Sequence, residues 1–215
     1  MSINIELLVF DLDGTLIDSK QDIANSVNFT LDKMERKKIK DETIFGFIGD
    51  GLRELLARSF GTHEDKILDM VIPIFRAHYR EHLLDNTRLY PGVRDVLEYF
   101  KLKKISLITN KPEAFSKTIL ERLNISSYFN LVLGSDSVEN KKPHPEPLLK
   151  ALDVLGVSKE RCLMVGDSKM DIDMGKEAGT LTCGVTYGLR GREELTLAGA
   201  DYIIDGILEL KGLVI

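Results

Sequence analysis

The stretch LLVFDLDGTLIDS, Leu7 to Ser19, opens with four apolar residues and then sets two aspartates two positions apart. A short unbroken apolar run is the pattern of a strand covered on both faces, as in a parallel sheet. Such a strand ending on Asp11 and Asp13 places two acids at one sheet edge. Crowded carboxylates repel each other unless something compensates them. The question is what the rest of the chain brings to that edge.

Five further apolar runs follow: ISLIT, LVLGS, CLMVG, LTCGV and DYIID. Helix patterns lie between them. PGVRDVLEYFK carries Val93, Val96, Leu97 and Phe100 at helical spacing. KPEAFSKTILERLN puts Phe115, Ile119, Leu120 and Leu123 on one face behind Pro112. HPEPLLKALDVLG ends at Gly156, and MDIDMGKEAG at Gly179. Strand and helix alternating from about residue 89 onward predict an α/β fold, a Rossmann-like parallel sheet core. Residues 16 to 88 break the alternation with helix patterns and no convincing strand. DIANSVNFTLDKM aligns Ile23, Val27, Leu31 and Met34, with Ser19 and Asp22 spaced as a capping box. GLRELLARSFG is a second helix, and HEDKILDMVIPIFRAHYREHLL a third, which Pro73 should kink or divide. The expected organisation is a core of residues 1–15 and 89–215 with an inserted all-helical cap at 16–88. The hinges fall near Leu16–Ser19 and Asn86–Leu89.

Composition narrows the class. The 215 residues are 43% hydrophobic and 29% charged, with a net charge of -5. That describes a globular chain and argues against generic nucleic-acid binding, which wants a basic face. No apolar run approaches a membrane span, and the N-terminus lacks the marks of a signal peptide. Cys162 and Cys183 sit in apolar runs and read as reduced core residues of a cytoplasmic protein. Partner expectations at the level of composition are no nucleic acid, no membrane, and a monomer or homodimer.

Ligands of open parallel sheets bind beyond the carboxyl ends of the strands. After the first strand come Asp11, Asp13, Gly14 and Thr15. After the next come Thr109 and Asn110, then Lys141 and Lys142 in a later loop, then Asp167 with Asp171 four residues on. Hard oxygen ligands, few of them from the protein, suit Mg²⁺, which keeps waters and takes further oxygens from a phosphate. A lysine and a hydroxyl beside the metal add a charge and a donor for phosphate oxygens. The chemistry this pattern points to is phosphoryl transfer, with a carboxylate available as nucleophile.

DLDGT, TN, KP and GDSKMD, in this order, resemble the four motifs of the haloacid dehalogenase superfamily. With YPGV, TNK and KKPHPEPL they resemble its phosphoglycolate phosphatase branch, over nearly the whole chain. The resemblance implies an aspartyl-phosphate formed on Asp11. Asp13 is then the acid that protonates the leaving alkoxide and the base that activates water. Mg²⁺ is held by the Asp11 carboxylate, the Asp13 carbonyl and Asp167. Thr109, Lys142 and the Asn110 backbone hold the phosphoryl oxygens, and Asp171 and Thr15 support them from behind. Lys142 is favoured over Lys141 because it directly precedes Pro143. Two nearby carboxyls with different roles need different environments, so Asp13 is expected in one that favours its acid form.

The cap should select the substrate. FIGDGLRELL interrupts the helical pattern at Gly46, Gly49 and Gly51, and Gly49 and Arg53 are candidates for an anionic group of the substrate. Both suit 2-phosphoglycolate. Alternatives on the same core are a phosphatase of a nucleotide, pyrophosphate or sugar phosphate, and a phosphomutase. A non-catalytic binding module is disfavoured because every motif position is filled. His78 and His82 lie four apart on the third cap helix, but no third ligand is evident, and they read as packed or surface residues, as does His144 in its loop.

Overall fold

The computed structural model describes residues 2–215. Its strands and helices, in chain order, are β1 (Leu7–Phe10), β2 (Ile17–Asp18), α1 (Lys20–Lys33), α2 (Asp41–Phe45), α3 (Leu52–Phe60), α4 (Asp65–Glu81), β3 (Arg88–Leu89), α5 (Val93–Tyr99), β4 (Lys104–Ile108), α6 (Glu113–Arg122), β5 (Leu131–Leu133), α7 (Glu146–Leu155), β6 (Cys162–Gly166), α8 (Lys169–Ala178), β7 (Leu181–Val185), α9 (Arg192–Leu197), β8 (Tyr202–Ile204) and α10 (Leu210–Leu213).

All six apolar runs are strands of one parallel sheet in the order β5-β4-β1-β6-β7-β8. Successive side chains of a strand point to opposite faces, which accounts for the unbroken apolar runs. Leu8, Phe10, Leu163 and Val165 pack on one face with Val96 and Leu97 of α5 and Ile119 of α6. Leu7, Val9, Cys162 and Met164 pack on the other with Leu148 and Leu152 of α7 and Met174 of α8. Both cysteines are buried and unpaired.

β1 lies between β4 and β6. Phe10 is level with Leu107 on one side and Val165 on the other. The residues just beyond, Asp11, Thr109 and Asp167, therefore leave the sheet at one rim. The strand order also reverses here, since the chain runs outward from β1 through β4 and β5 and returns to β6. Ligands of open α/β sheets bind at such switch points.

Between the rim and β4 lie the four helices α1 to α4. The two crossings between this insert and the core are paired as a short antiparallel ribbon, Ile17 opposite Leu89 and Asp18 opposite Arg88. No strand was expected there, because two residues carry no periodicity to read. Three further expectations are corrected. Ser19 and Asp22 form no capping box. The Ser19 hydroxyl donates to Asp13, and the Asp22 carboxylate accepts from the Asn86 and Thr87 backbone at the other crossing. Pro73 does not divide its helix, since α4 runs through it. The five-residue helix α2 stands where no helix was read.

Candidate active site

One carboxylate oxygen from each of Asp11, Asp167 and Asp171 lies within 4.8 Å of the other two, and all three residues are buried. Lys142 Nζ stands between two of these acids, 2.7 Å from Asp11 Oδ1 and 2.6 Å from Asp171 Oδ1. Asp171 is held from its far side, where Oδ2 accepts from the Ser168 hydroxyl at 2.7 Å and the Ser168 N–H at 3.2 Å, the capping box that starts α8. One carboxylate thus caps a helix and fixes the lysine. Lys141, its neighbour, turns the other way and donates to the Asp50 carbonyl in the cap.

Thr109 and Asn110 are buried at the same rim. The Thr109 hydroxyl accepts from the Lys111 N–H at 3.2 Å. The Asn110 side-chain amide donates to the Lys142 carbonyl at 3.1 Å and to the Gly49 carbonyl at 2.9 Å. It ties the lysine loop to the cap.

Asp13 is not in the environment expected for it. Its two oxygens lie 2.6 and 2.9 Å from Lys111 Nζ, and the Ser19 hydroxyl donates to it as well. Lys111 is buried and was missed in the sequence. The only signal was its place in TNK, directly after the two residues singled out. A charged side chain one position further into a loop had no periodicity to aim it.

Asp167 is supported by a loop that sequence reading also passed over. The Leu189 N–H donates to Asp167 Oδ2 at 2.6 Å, and the Thr15 hydroxyl lies 3.5 Å from Oδ1. The Tyr187 hydroxyl donates to the Thr15 carbonyl at 2.8 Å. The approach is close enough to require glycine twice. A Cβ on Gly14, whose φ is +90°, would lie 2.2 Å from Asp167 Oδ2, and one on Gly188 would lie 2.3 Å from the Gly14 carbonyl.

Charges at the rim do not balance. Asp11, Asp13, Asp167 and Asp171 bring four negative charges against two positive ones from Lys111 and Lys142, a net of two negative. Burial, offset in part by Lys142 and reinforced by Asp171, pushes the Asp11 carboxyl up to about 7. Burial first, then Asp11 and Asp171, hold Asp167 well above the usual carboxylate range. Lys142 is raised despite its burial, because Asp11 and Asp171 flank it, and Lys111 is raised in the same way by Asp13. A buried oxygen-only cluster short of two positive charges fits a hard divalent cation. Asp171 is pinned between the Lys142 ammonium and its own helix cap, whereas Asp167 meets only neutral donors, so Asp11 and Asp167 are the acids better placed to hold it.

Over the rim lies a cavity of about 60 Å³. At the ~10–15 Å³ that a water centre needs, this is room for a handful of waters or a small ester. The core contributes Asp11, Asp13, Thr109, Asn110, Lys111 and Phe115. The cap contributes Ile23, Ile48, Leu52, Leu55, Phe75 and Tyr79, with Gly49 and Gly51. The glycine loop therefore reaches the site as expected. Core side chains hold its carbonyls, since Arg190 donates to Gly46 and Ile48, Asn110 to Gly49, and Lys141 to Asp50.

Arg53 is not brought to the site. It sits on the outer face of α3, half-exposed, paired with Asp65 and Asp69. Arg53 lies between Leu52 and Leu55 in the chain, but about 100° round the helix from Leu52 it faces water while they face the cavity. His78 stacks between Phe29 and His82, with centroids 4.0 and 4.2 Å away, and its Nδ1 lies 3.0 Å from the Ser26 hydroxyl. His144 Nδ1 accepts from the Glu146 N–H at 3.2 Å. The reading of His78 and His82 as packed or surface residues stands, and His144 lies exposed in its loop.

Known proteins resemble this chain over most of its length. Residues 8–185 match the haloacid dehalogenase-like hydrolase family. A phosphoglycolate phosphatase of Aquifex aeolicus is 40% identical over 186 residues, covering 86% of each chain. One from Colwellia psychrerythraea is 38% identical over 214 residues, covering 95% of each. Among solved structures, a predicted phosphoglycolate phosphatase from Haemophilus somnus superimposes with a TM-score of 0.90 at 29% identity, covering 97% of both chains.

Proposed function

Because this chain belongs to the haloacid dehalogenase-like hydrolase family, we propose that it is a Mg²⁺-dependent phosphatase of a small phosphomonoester, with 2-phosphoglycolate, cleaved to glycolate and phosphate, as the substrate. The observation that carries the reading is the buried cluster of Asp11, Lys142, Asp171 and Asp167 at the switch point, two positive charges short of balance.

Mg²⁺ would be held by the Asp11 carboxylate, the Asp13 carbonyl and the Asp167 carboxylate, and when bound it supplies the missing charge and draws in a phosphoryl oxygen. The Asp11 carboxylate attacks phosphorus and the ester P–O bond breaks, leaving an aspartyl-phosphate and an alkoxide. Asp13 must carry a proton at this step, against the pull of its Lys111 partner, and gives it to the alkoxide. It then takes a proton from water, whose oxygen attacks phosphorus and releases phosphate and the Asp11 carboxylate. Lys142, fixed by Asp171, and the Thr109 hydroxyl hold the phosphoryl oxygens through both steps. The apolar cap wall excludes bulk water from the first step.

The unit that opens for exchange is proposed as residues 16–88, with the β2–β3 ribbon as its stem. The test is phosphate release from 2-phosphoglycolate, nucleoside monophosphates, sugar phosphates and pyrophosphate, with and without Mg²⁺. The expected result is Mg²⁺-dependent release, fastest on 2-phosphoglycolate. No release from any ester would overturn the reading.

A further inference from the structure

Two polar groups of the cavity are not used by the chemistry above. The first is the Tyr79 hydroxyl. Tyr79 is 1% exposed, packed between Phe75 and Phe115, and its hydroxyl has no hydrogen-bond partner among the described residues. Buried polar groups without partners are rare, and each calls for an explanation. Burial pushes the phenol up to about 12, so it is a neutral donor at working pH. The second is Lys111. Its Nζ lies 5.1 Å from the Tyr79 ring centre and close enough to the hydroxyl to interact with it, while its two hydrogen bonds, at 2.6 and 2.9 Å, both go to Asp13. An ammonium has three donors, so one remains. Both side chains line the cavity, and among the described residues Lys111 is the only cation that does.

Besides the Gly49 and Gly51 backbone, whose Gly49 carbonyl is taken by Asn110, the rest of the cap wall is the side chains of Ile23, Ile48, Leu52, Leu55 and Phe75. These side chains offer nothing to a hydroxyl. A leaving group rich in hydroxyls, such as a sugar or a nucleoside, would bury several of them unpaired, each at a cost. A short leaving group with one anionic end meets a different wall. A carboxylate accepts from Lys111 and from Tyr79 and satisfies both.

We infer that Lys111 and Tyr79 form the leaving-group subsite, and that it selects phosphate esters of short alcohols that carry a carboxylate. Recognition of the anion falls to a core lysine and a cap tyrosine, and Arg53 takes no part. Since one donor comes from each side, the bound carboxylate also bridges cap to core. This rests on the proposed phosphatase activity and adds to it the residues that set its substrate class.

The test compares kcat/KM on 2-phosphoglycolate and on ethyl phosphate, which keeps the phosphate and loses the carboxylate. Wild type, Tyr79→Phe and Lys111→Met are measured, each checked for an intact thermal transition. Tyr79→Phe keeps the ring and removes only the hydroxyl. It should lower the ratio of the two kcat/KM values about tenfold, the size of one hydrogen bond to a charged group. Lys111→Met should slow both esters, because Asp13 loses its partner, and should lower the ratio on the order of a hundredfold. A ratio unchanged within about twofold in both variants, with wild type active on both esters, would overturn the subsite and leave the phosphatase reading intact. Wild type inactive on both esters would overturn the phosphatase reading and the subsite with it. Should Lys111→Met fail to fold, the Tyr79→Phe ratio decides alone.

Discussion

Asp22→Ala should cost this protein more stability than a change at any exposed acid. Asp22 is 1% exposed on α1. It accepts from the Asn86 N–H at 2.9 and 3.0 Å, the Asn86 side-chain amide at 2.8 Å, the Thr87 N–H at 2.7 Å and the Thr87 hydroxyl at 2.7 Å. One carboxylate therefore fastens the start of the cap to its return crossing, 64 residues later in sequence. Removing it strands four donors. Each buried unpaired donor costs about 1–3 kcal/mol, and water reaching the vacated space recovers part of that. A net loss of about 4 kcal/mol is expected, in the range reserved for broken buried networks. For a chain of this length about 1 kcal/mol corresponds to 2–4 °C, so Tm should fall by roughly 8–16 °C. Asp22→Asn keeps one acceptor and should fall about half as far. Differential scanning calorimetry reads both. A drop under about 3 °C for Asp22→Ala would refute the clamp, because that is what an exposed cap residue costs.

Other outcomes follow from the same geometry. Lys142→Met leaves Asp11 and Asp171 buried without their cation, so phosphate release should vanish and stability should fall by about 3–5 kcal/mol in thermal melts; a variant with normal turnover would remove Lys142 from the reaction. Without metal, Asp11 keeps its proton to about pH 7 in the folded state and only to its ordinary 3.8 when unfolded. Between these values the unfolded state binds fewer protons, so stability falls as pH rises. Metal must displace that proton, so the Tm gain from added Mg²⁺ should grow from about pH 5.5 to pH 8, and a gain independent of pH would contradict it. Arg53→Ala should leave kcat/KM on 2-phosphoglycolate unchanged within about twofold, because the side chain faces water; a tenfold loss would return it to the site.

The parts legible in sequence are those with a pattern longer than the noise. The six sheet strands were readable because burial on two faces demands unbroken apolar runs, and LLVF or CLMVG leaves little else to assign. Asp11, Asp167, Lys142 and Asp171 were readable because acids and a lysine directly beyond buried strands have few structural reasons to be there. What sequence misjudged was direction. Arg53 and Leu52 are adjacent, and only the docking of α3 decides which faces the cavity. Ser19 and Asp22 have capping-box spacing, but each found a stronger partner across the fold, Asp13 for one and the Asn86–Thr87 backbone for the other. Lys111 lies in a loop, where no periodicity announces that it turns inward to Asp13. β2 and β3 exist only because their partners are 70 residues away.

The central claim is that Asp11 carries the phosphoryl group. Its most direct test is acid quenching within one turnover of 2-phosphoglycolate labelled with radioactive phosphorus, followed by peptide mapping. The expected result is a label, released by hydroxylamine as an acyl phosphate, on the peptide containing Asp11, and no label and no turnover in Asp11→Asn. Full turnover by Asp11→Asn, or a burst of phosphate with the label on a different peptide, would contradict it.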